Sequence, residues 1–164
     1  MKKILYILTL LAIGLWIGVL FGWVGSDLVV GITYPKTDDT VPIPFTVRGF
    51  CWNPTQGVDY YALVLIEDSD KNGVISSGEF ANRRTVHKQE DFNRPNEKDL
   101  PLTPRYKMDS SLVGQNKKYF LFIYAVDLNG NVSADTNLIG LTKNGDSTRT
   151  ETMLRYFTTQ GLRP

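Results

Sequence analysis

The sequence has one cysteine, one histidine and almost no net charge, and each shortage excludes a class of protein. A lone thiol, Cys51, leaves no internal disulfide, so the fold depends on packing alone. Its position also excludes a lipoprotein, whose acylated cysteine closes the N-terminal apolar segment; Cys51 is expected to be a small buried hydrophobe. With His87 as the only histidine, a His-rich transition-metal site is excluded. No G-x-S-x-G elbow, activated cysteine or Gly-rich phosphate loop accompanies His87 and Asp91, so His87 is expected to be a solvated loop residue and no enzyme is expected. The 18 Lys+Arg nearly balance the 17 Asp+Glu, so no basic field points to nucleic acid as a partner.

What the chain does have begins at its N-terminus. Ile4 to Val24 run without a charge, and as a helix this stretch is about 30 Å long, enough to cross a bilayer core. Lys2 and Lys3 precede it and no positive residue follows until Lys36, which puts the N-terminus in the cytoplasm and the rest of the chain outside. Residues 1–26 are therefore expected to be a single transmembrane anchor in the plasma membrane, contacting lipid through residues 4–24. A cleaved signal peptide, giving a secreted protein, is the competing reading, but "GWVGSD" is a poor cleavage site. Gly14, Gly18 and Gly22 fall on one helix face, a pattern that permits self-association with a second helix.

Residues 27–164 are long enough for one extracytoplasmic domain. The runs "LVVGITYP" and "VPIPFTVRGFCW" predict two strands joined by the turn-like "KTDDT", and Pro35, Pro42 and Pro44 keep helix out. In "VDYYALVLIE" the apolar residues occupy both alternating sets, which predicts a central strand. Residues 81–117 are polar and predict mostly surface loop, with a short strand at "RTVHK". A strong strand is expected from Tyr119 to Val126, then a tight "DLNGN" turn, a strand near Asn137 to Leu141, and a last strand at "MLRYFTT". About seven short strands, with no soluble helix, argue an all-β sandwich.

Two stretches carry a family resemblance. In "SLVGQNKKYFLFIYAVDLNGNVS", residues Leu112, Tyr119, Ala125, Asp127, Gly130, Asn131 and Ser133 resemble the late part of fibronectin type III and related bacterial Ig-like modules. The opening "ITYPKTDDTVPIPFTVRGF" resembles the first two strands of such modules. The resemblance implies an Ig-like β-sandwich, makes Tyr119 the corner tyrosine whose hydroxyl bonds back to the chain, and suggests a binding or scaffolding role.

Within that domain "DSDKNGVISSGEF" has the spacing of an EF-hand loop over residues 68–79. Calcium takes six to eight oxygens, and the loop offers Asp68, Asp70, Asn72, the Val74 carbonyl, Ser76 directly or through water, and Glu79 as the bidentate ligand. Gly73 stands where the sharp turn falls, and Ile75 is the apolar anchor. Hairpin-turn chemistry alone explains Asp70, Asn72 and Gly73, but it does not ask for Ile75, Ser76 and Glu79. The residues before the loop predict a strand rather than a helix, so no paired-hand sensor is expected and Ca2+ would be structural.

These readings combine into a membrane-anchored, extracytoplasmic calcium-binding module that acts through an unknown protein or surface ligand, in adhesion or scaffolding. The alternative is a non-catalytic accessory subunit of a cell-envelope enzyme or transport complex, held through its membrane segment.

Overall fold

The structure is a computed structural model and describes residues 28–53, 55–89, 105–146 and 148–161. Eight strands and two short helices follow one another as β1 (Val29–Tyr34), β2 (Asp39–Val41), β3 (Phe45–Trp52), β4 (Val58–Glu67), α1 (Ser77–Ala81), β5 (Arg84–Gln89), β6 (Arg105–Met108), β7 (Lys118–Asp127), α2 (Thr148–Met153) and β8 (Leu154–Thr159). They form two sheets, one ordered β1-β3-β6 and the other β2-β8-β7-β4-β5. Every pairing is antiparallel except β2 with β8.

The two sheets share one core because their strands alternate. On β3, Phe45, Val47 and Cys51 point inward while Thr46, Arg48 and Trp52 are exposed. On the facing sheet, Leu63 lies opposite Ile123 and Leu65 opposite Leu121. The Phe157 ring joins the layers, meeting Phe45 of β3 at 5.3 Å between centroids and Tyr119 of β7 at 5.8 Å. This arrangement is the all-β sandwich that the alternating runs predict. Cys51 is fully buried within it, as expected of a small hydrophobe.

The other face of the larger sheet is apolar too, which explains why β4 and β7 read as doubly hydrophobic. Val64, Ile66, Phe120 and Phe122 alternate with the inward set and are also buried. Their cover is not a third sheet. The β4–β5 connection and residues 134–146 fold back over this face, placing Ile75 and Leu138 in the core at 0% and 1% exposure. Backbone bonds tie the two covering segments together, from Ile75 N–H to the Leu141 carbonyl (3.0 Å) and from Gly140 N–H to the Ile75 carbonyl (2.7 Å).

Several expectations need correction. No strand forms at Asn137–Leu141; the segment joins the fold through the isolated Val74–Thr142 bridge beside it. The reason is local: the carboxylate of Asp135 accepts from Asn137 N–H (2.8 Å), so side chains satisfy backbone groups that a ladder would use. "KTDDT" is not wholly a turn, since Asp39–Val41 pairs in parallel with β8. The run starting at Val41 is split, because Pro42 and Pro44 lack the N–H groups a continuous strand needs, and β3 starts at Phe45. Two short helices are present where none is predicted. His87 is not a loop residue: it sits on β5, half-buried, and stacks on Tyr106 at 4.5 Å. The rest of the polar 81–117 segment supplies β6, which lacks a strong apolar signature because it is a four-residue edge strand.

The expected anchor at residues 1–26, its lipid-facing residues 4–24 and the Gly14, Gly18, Gly22 stripe lie outside the described residues, as does Asp91. Among the described residues no helix is long and apolar enough to cross a membrane.

Candidate metal centre

The acidic loop begins where β4 ends. Asp68 N–H still bonds to the Lys118 carbonyl (3.0 Å), so the first loop residue is held by the sheet ladder. From there the chain turns sharply, with Lys71 and Gly73 at φ of 59° and 74°. The Gly73 conformation is one that residues with a Cβ rarely adopt, which is why the turn needs glycine there. The loop closes on α1, whose N-cap Ser76 and third residue Glu79 form a reciprocal capping box.

This path brings three of the six expected ligands together. Asp68, Asp70 and Glu79 each place a carboxylate oxygen within 4.8 Å of the others. Asp68 is 1% exposed and Glu79 7%, whereas Asp70 is open to solvent. At that separation two buried like charges repel by about 3 kcal/mol at an effective dielectric constant near 20. The Asp68–Glu79 pair carries most of this cost, since contact with water screens Asp70.

Hydrogen bonds answer only part of the charge. Glu79 is well served: Oε1 accepts from Ser69 N–H (2.7 Å) and Ser69 Oγ (3.1 Å), and Oε2 from Ser76 N–H (3.0 Å) and Ser76 Oγ (2.9 Å). Burial pushes the Glu79 carboxyl up, but these bonds outweigh it and hold it below the ordinary glutamate value. Asp68 is served on one side only. Its Oδ2 accepts from Tyr156 Oη (2.5 Å) and Gly73 N–H (3.2 Å), while its Oδ1 is buried without a hydrogen-bond partner. A buried carboxylate oxygen left unsatisfied costs upwards of about 1–3 kcal/mol, so Oδ1 is the atom that most needs a cation.

The other expected ligands take other positions. Asn72 Oδ1 accepts from Val74 N–H (2.6 Å), and its amide donates to Asp70 Oδ2 (2.8 Å), so the side chain braces the turn. Ser76 Oγ is engaged with Glu79 and orients that carboxylate, which fits contact through water better than direct ligation. Val74 lies in the bridge to Thr142, with a 36% exposed side chain.

Two contributors were not legible in the loop itself. Tyr156 comes from β8, 88 residues away, and Ser69 occupies a loop position whose residue type the motif does not specify. Alternation in "MLRYFTT" could have placed Tyr156 on the loop's side of the sheet, but not against Asp68. A cleft of about 360 Å³ lined by Glu67, Ser69, Glu79, Asn82 and Arg84 gives solvent access beside the cluster. Chemically the arrangement offers only hard oxygen donors, which suits calcium better than a softer transition metal. No protein-family model matches the chain, and no curated protein sequence matches it.

Proposed function

We propose that the protein is a calcium-binding, Ig-like β-sandwich module held at the outer face of the plasma membrane by its N-terminal apolar segment, and that it acts through protein or surface contacts. The observation that carries the calcium reading is Asp68 Oδ1, an unpartnered buried carboxylate oxygen on a residue that clusters with Asp70 and Glu79. The ion is structural: it neutralises the acidic cluster and so holds down the loop that covers the outer face of the larger sheet. Extracellular calcium modules bind at about 10⁻⁴ to 10⁻³ M, which suits an extracytoplasmic domain.

Strand order supports the Ig-like reading. β1, β3 and β6 correspond to strands A, B and E, and β8, β7, β4 and β5 to G, F, C and C′. Tyr119 adds a second support, because its hydroxyl accepts from Gly114 N–H (2.8 Å), five residues upstream at the start of the F-like strand. Ile4 to Val24, uncharged and preceded by Lys2 and Lys3, supports the anchored, outward-facing orientation.

Thermal melts in EDTA and in millimolar calcium test the metal reading. Millimolar calcium is about 1–10 times such a dissociation constant, which stabilises the folded state by about 0.4–1.4 kcal/mol, roughly 1–6 °C for a chain of this size. Wild type should show that rise, and Asp70→Asn, at an exposed position, and Glu79→Gln should not. Melts that coincide with and without calcium in all three would exclude the ion.

A further inference from the structure

Residues 134–146 run from β7 toward α2 outside both sheets. Ser133 fixes where they start, since its N–H donates to the Ala125 carbonyl (2.9 Å) and its Oγ accepts from Ala125 N–H (3.1 Å). From there the segment crosses the outer face of the larger sheet as a strap, with Leu138 buried in the core. Two backbone bonds close turns within it, from Leu141 N–H to the Leu138 carbonyl (3.2 Å) and from Gly145 N–H to the Thr142 carbonyl (2.9 Å).

Among the described residues, the backbone bonds that tie the strap to another segment all end on the acidic loop. Gly140 N–H donates to the Ile75 carbonyl, Ile75 N–H to the Leu141 carbonyl, and Lys143 N–H to the Gly73 carbonyl. The strap's ion pair, Lys143 Nζ with Asp38 Oδ1 (2.9 Å), is exposed and worth little.

Two peptide units serve the strap and the acidic loop at once. In the Gly73–Val74 unit the carbonyl accepts from Lys143, while the Val74 N–H donates to Asn72 Oδ1 (2.6 Å), an expected ligand. In the Val74–Ile75 unit the N–H donates to Leu141. That peptide is trans and planar, so its carbonyl, another expected ligand, points away from the strap. Because each unit is rigid, a rotation that moves its loop-side group also breaks its strap bond. Gly73 adds a third link, its N–H donating to Asp68 Oδ2 (3.2 Å).

This loop is the part of the fold that an ion stabilises most directly. Without one, Asp68 and Glu79 repel and Asp68 Oδ1 is buried unsatisfied. Local openings that relieve this cost turn the two peptide units and release the strap with them.

We infer that calcium binding closes residues 134–146 over the larger sheet, and that loss of the ion frees this strap while the sandwich stays folded. The inference rests on the calcium reading above and extends it to a segment that carries none of the ligands. Asp135, Asn137 and Leu138 of the strap line a cleft of about 370 Å³ together with Phe80 and Arg83, which follow Glu79 in the chain. Both groups hang on the acidic loop, so the ion governs access to Val64 and Phe122 of the sheet, which line the same cleft.

Hydrogen exchange read by mass spectrometry, on the full chain in detergent micelles, tests this in EDTA and in calcium. If the strap opens only when the ion leaves, about 10 mM calcium slows exchange at Gly140 and Lys143 about tenfold or more, for a dissociation constant of about 10⁻³ M or tighter. Residues 127–133, at the other end of β7 from the acidic loop, are the reference; Gly130 N–H there bonds to the Asp127 carbonyl (2.9 Å) and should exchange alike in both conditions. Asp70→Asn, at an exposed position, should abolish the slowing.

Calorimetric titration of calcium into the same sample reports binding independently of the strap. Binding without slower exchange at Gly140 and Lys143, or with equal slowing in the reference turn, overturns the strap and leaves the calcium reading standing. Absence of both binding and slowing overturns the calcium reading, and the strap falls with it.

Discussion

Tyr156 Oη donates a 2.5 Å hydrogen bond to Asp68 Oδ2, joining the last strand to the first residue of the acidic loop. Burial, then this hydrogen bond to Asp68, and then the Asp68, Asp38 and Asp70 charges push the Tyr156 hydroxyl far above the ordinary tyrosine value, so it stays a donor throughout the working pH range. Replacing it removes a charge-assisted bond without removing the ring that packs 4.8 Å from Phe120. Tyr156→Phe should therefore cost about 1.5–3 kcal/mol in EDTA. Calcium should recover part of the loss, because it neutralises the carboxylate that the mutation strands. Paired melts in EDTA and calcium read this directly, and an equal loss in both conditions would mean that the bond is unrelated to the ion.

Acid sensitivity should follow Glu79. Its carboxyl is held below the ordinary value by Ser76 and Ser69 against the upward push of burial. A lowered folded value contributes stability that is present above the unfolded value, about 4.3 for glutamate, and is lost as pH falls through the lower folded one. Ser69→Ala removes one of the four donors, the Ser69 hydroxyl, while the backbone N–H bond remains, and should raise the folded value. The acid-unfolding midpoint measured in EDTA should then move to higher pH. An unmoved midpoint would show that the serine bonds do not control this carboxylate.

Cys51 offers a check on the core that does not involve the ion. Burial pushes its thiol up to about 12, and only the thiolate attacks a disulfide reagent. Native protein should leave Ellman's reagent unreacted at neutral pH for as long as it stays folded, and react with one equivalent in guanidinium chloride. Rapid native labelling would mean that the sheets separate far more often than their packing implies.

The sequence made the sandwich legible wherever apolar residues alternate, and hid it where local chemistry decides. β4 and β7 were visible because both faces of each are buried, one against the other sheet and one beneath the covering loops. β6 was not, because an edge strand of four residues reading Arg-Tyr-Lys-Met buries little. The Asn137–Leu141 strand was wrongly expected because an apolar Leu-Ile pair also suits a covering loop, with Leu138 down and Ile139 47% exposed. In the metal centre the carboxylates were legible from spacing, since their geometry is local to the loop. Tyr156 was not, because a donor from β8 reaches Asp68 only through tertiary folding.

Gly73 tests whether the loop's shape and its affinity are the same property. At φ of 74° an alanine would meet nothing nearer than the Lys143 side chain at 3.6 Å, so the space exists and the strain lies in the backbone. That strain is about 1–2 kcal/mol for an ordinary residue and less for asparagine, which enters this region more readily. Gly73 also gives its N–H to Asp68 Oδ2 and its carbonyl to Lys143 N–H (2.8 Å), so relaxing the turn would release both the acidic cluster and the covering segment. Gly73→Ala should therefore lower the melting temperature by a few degrees and weaken calcium binding by up to about tenfold, with Gly73→Asn in between. Calorimetric titration beside the melts separates the two effects. If Ala matched wild type in both, the positive φ would not be a requirement of the folded loop, and the carboxylates would have to be gathered some other way.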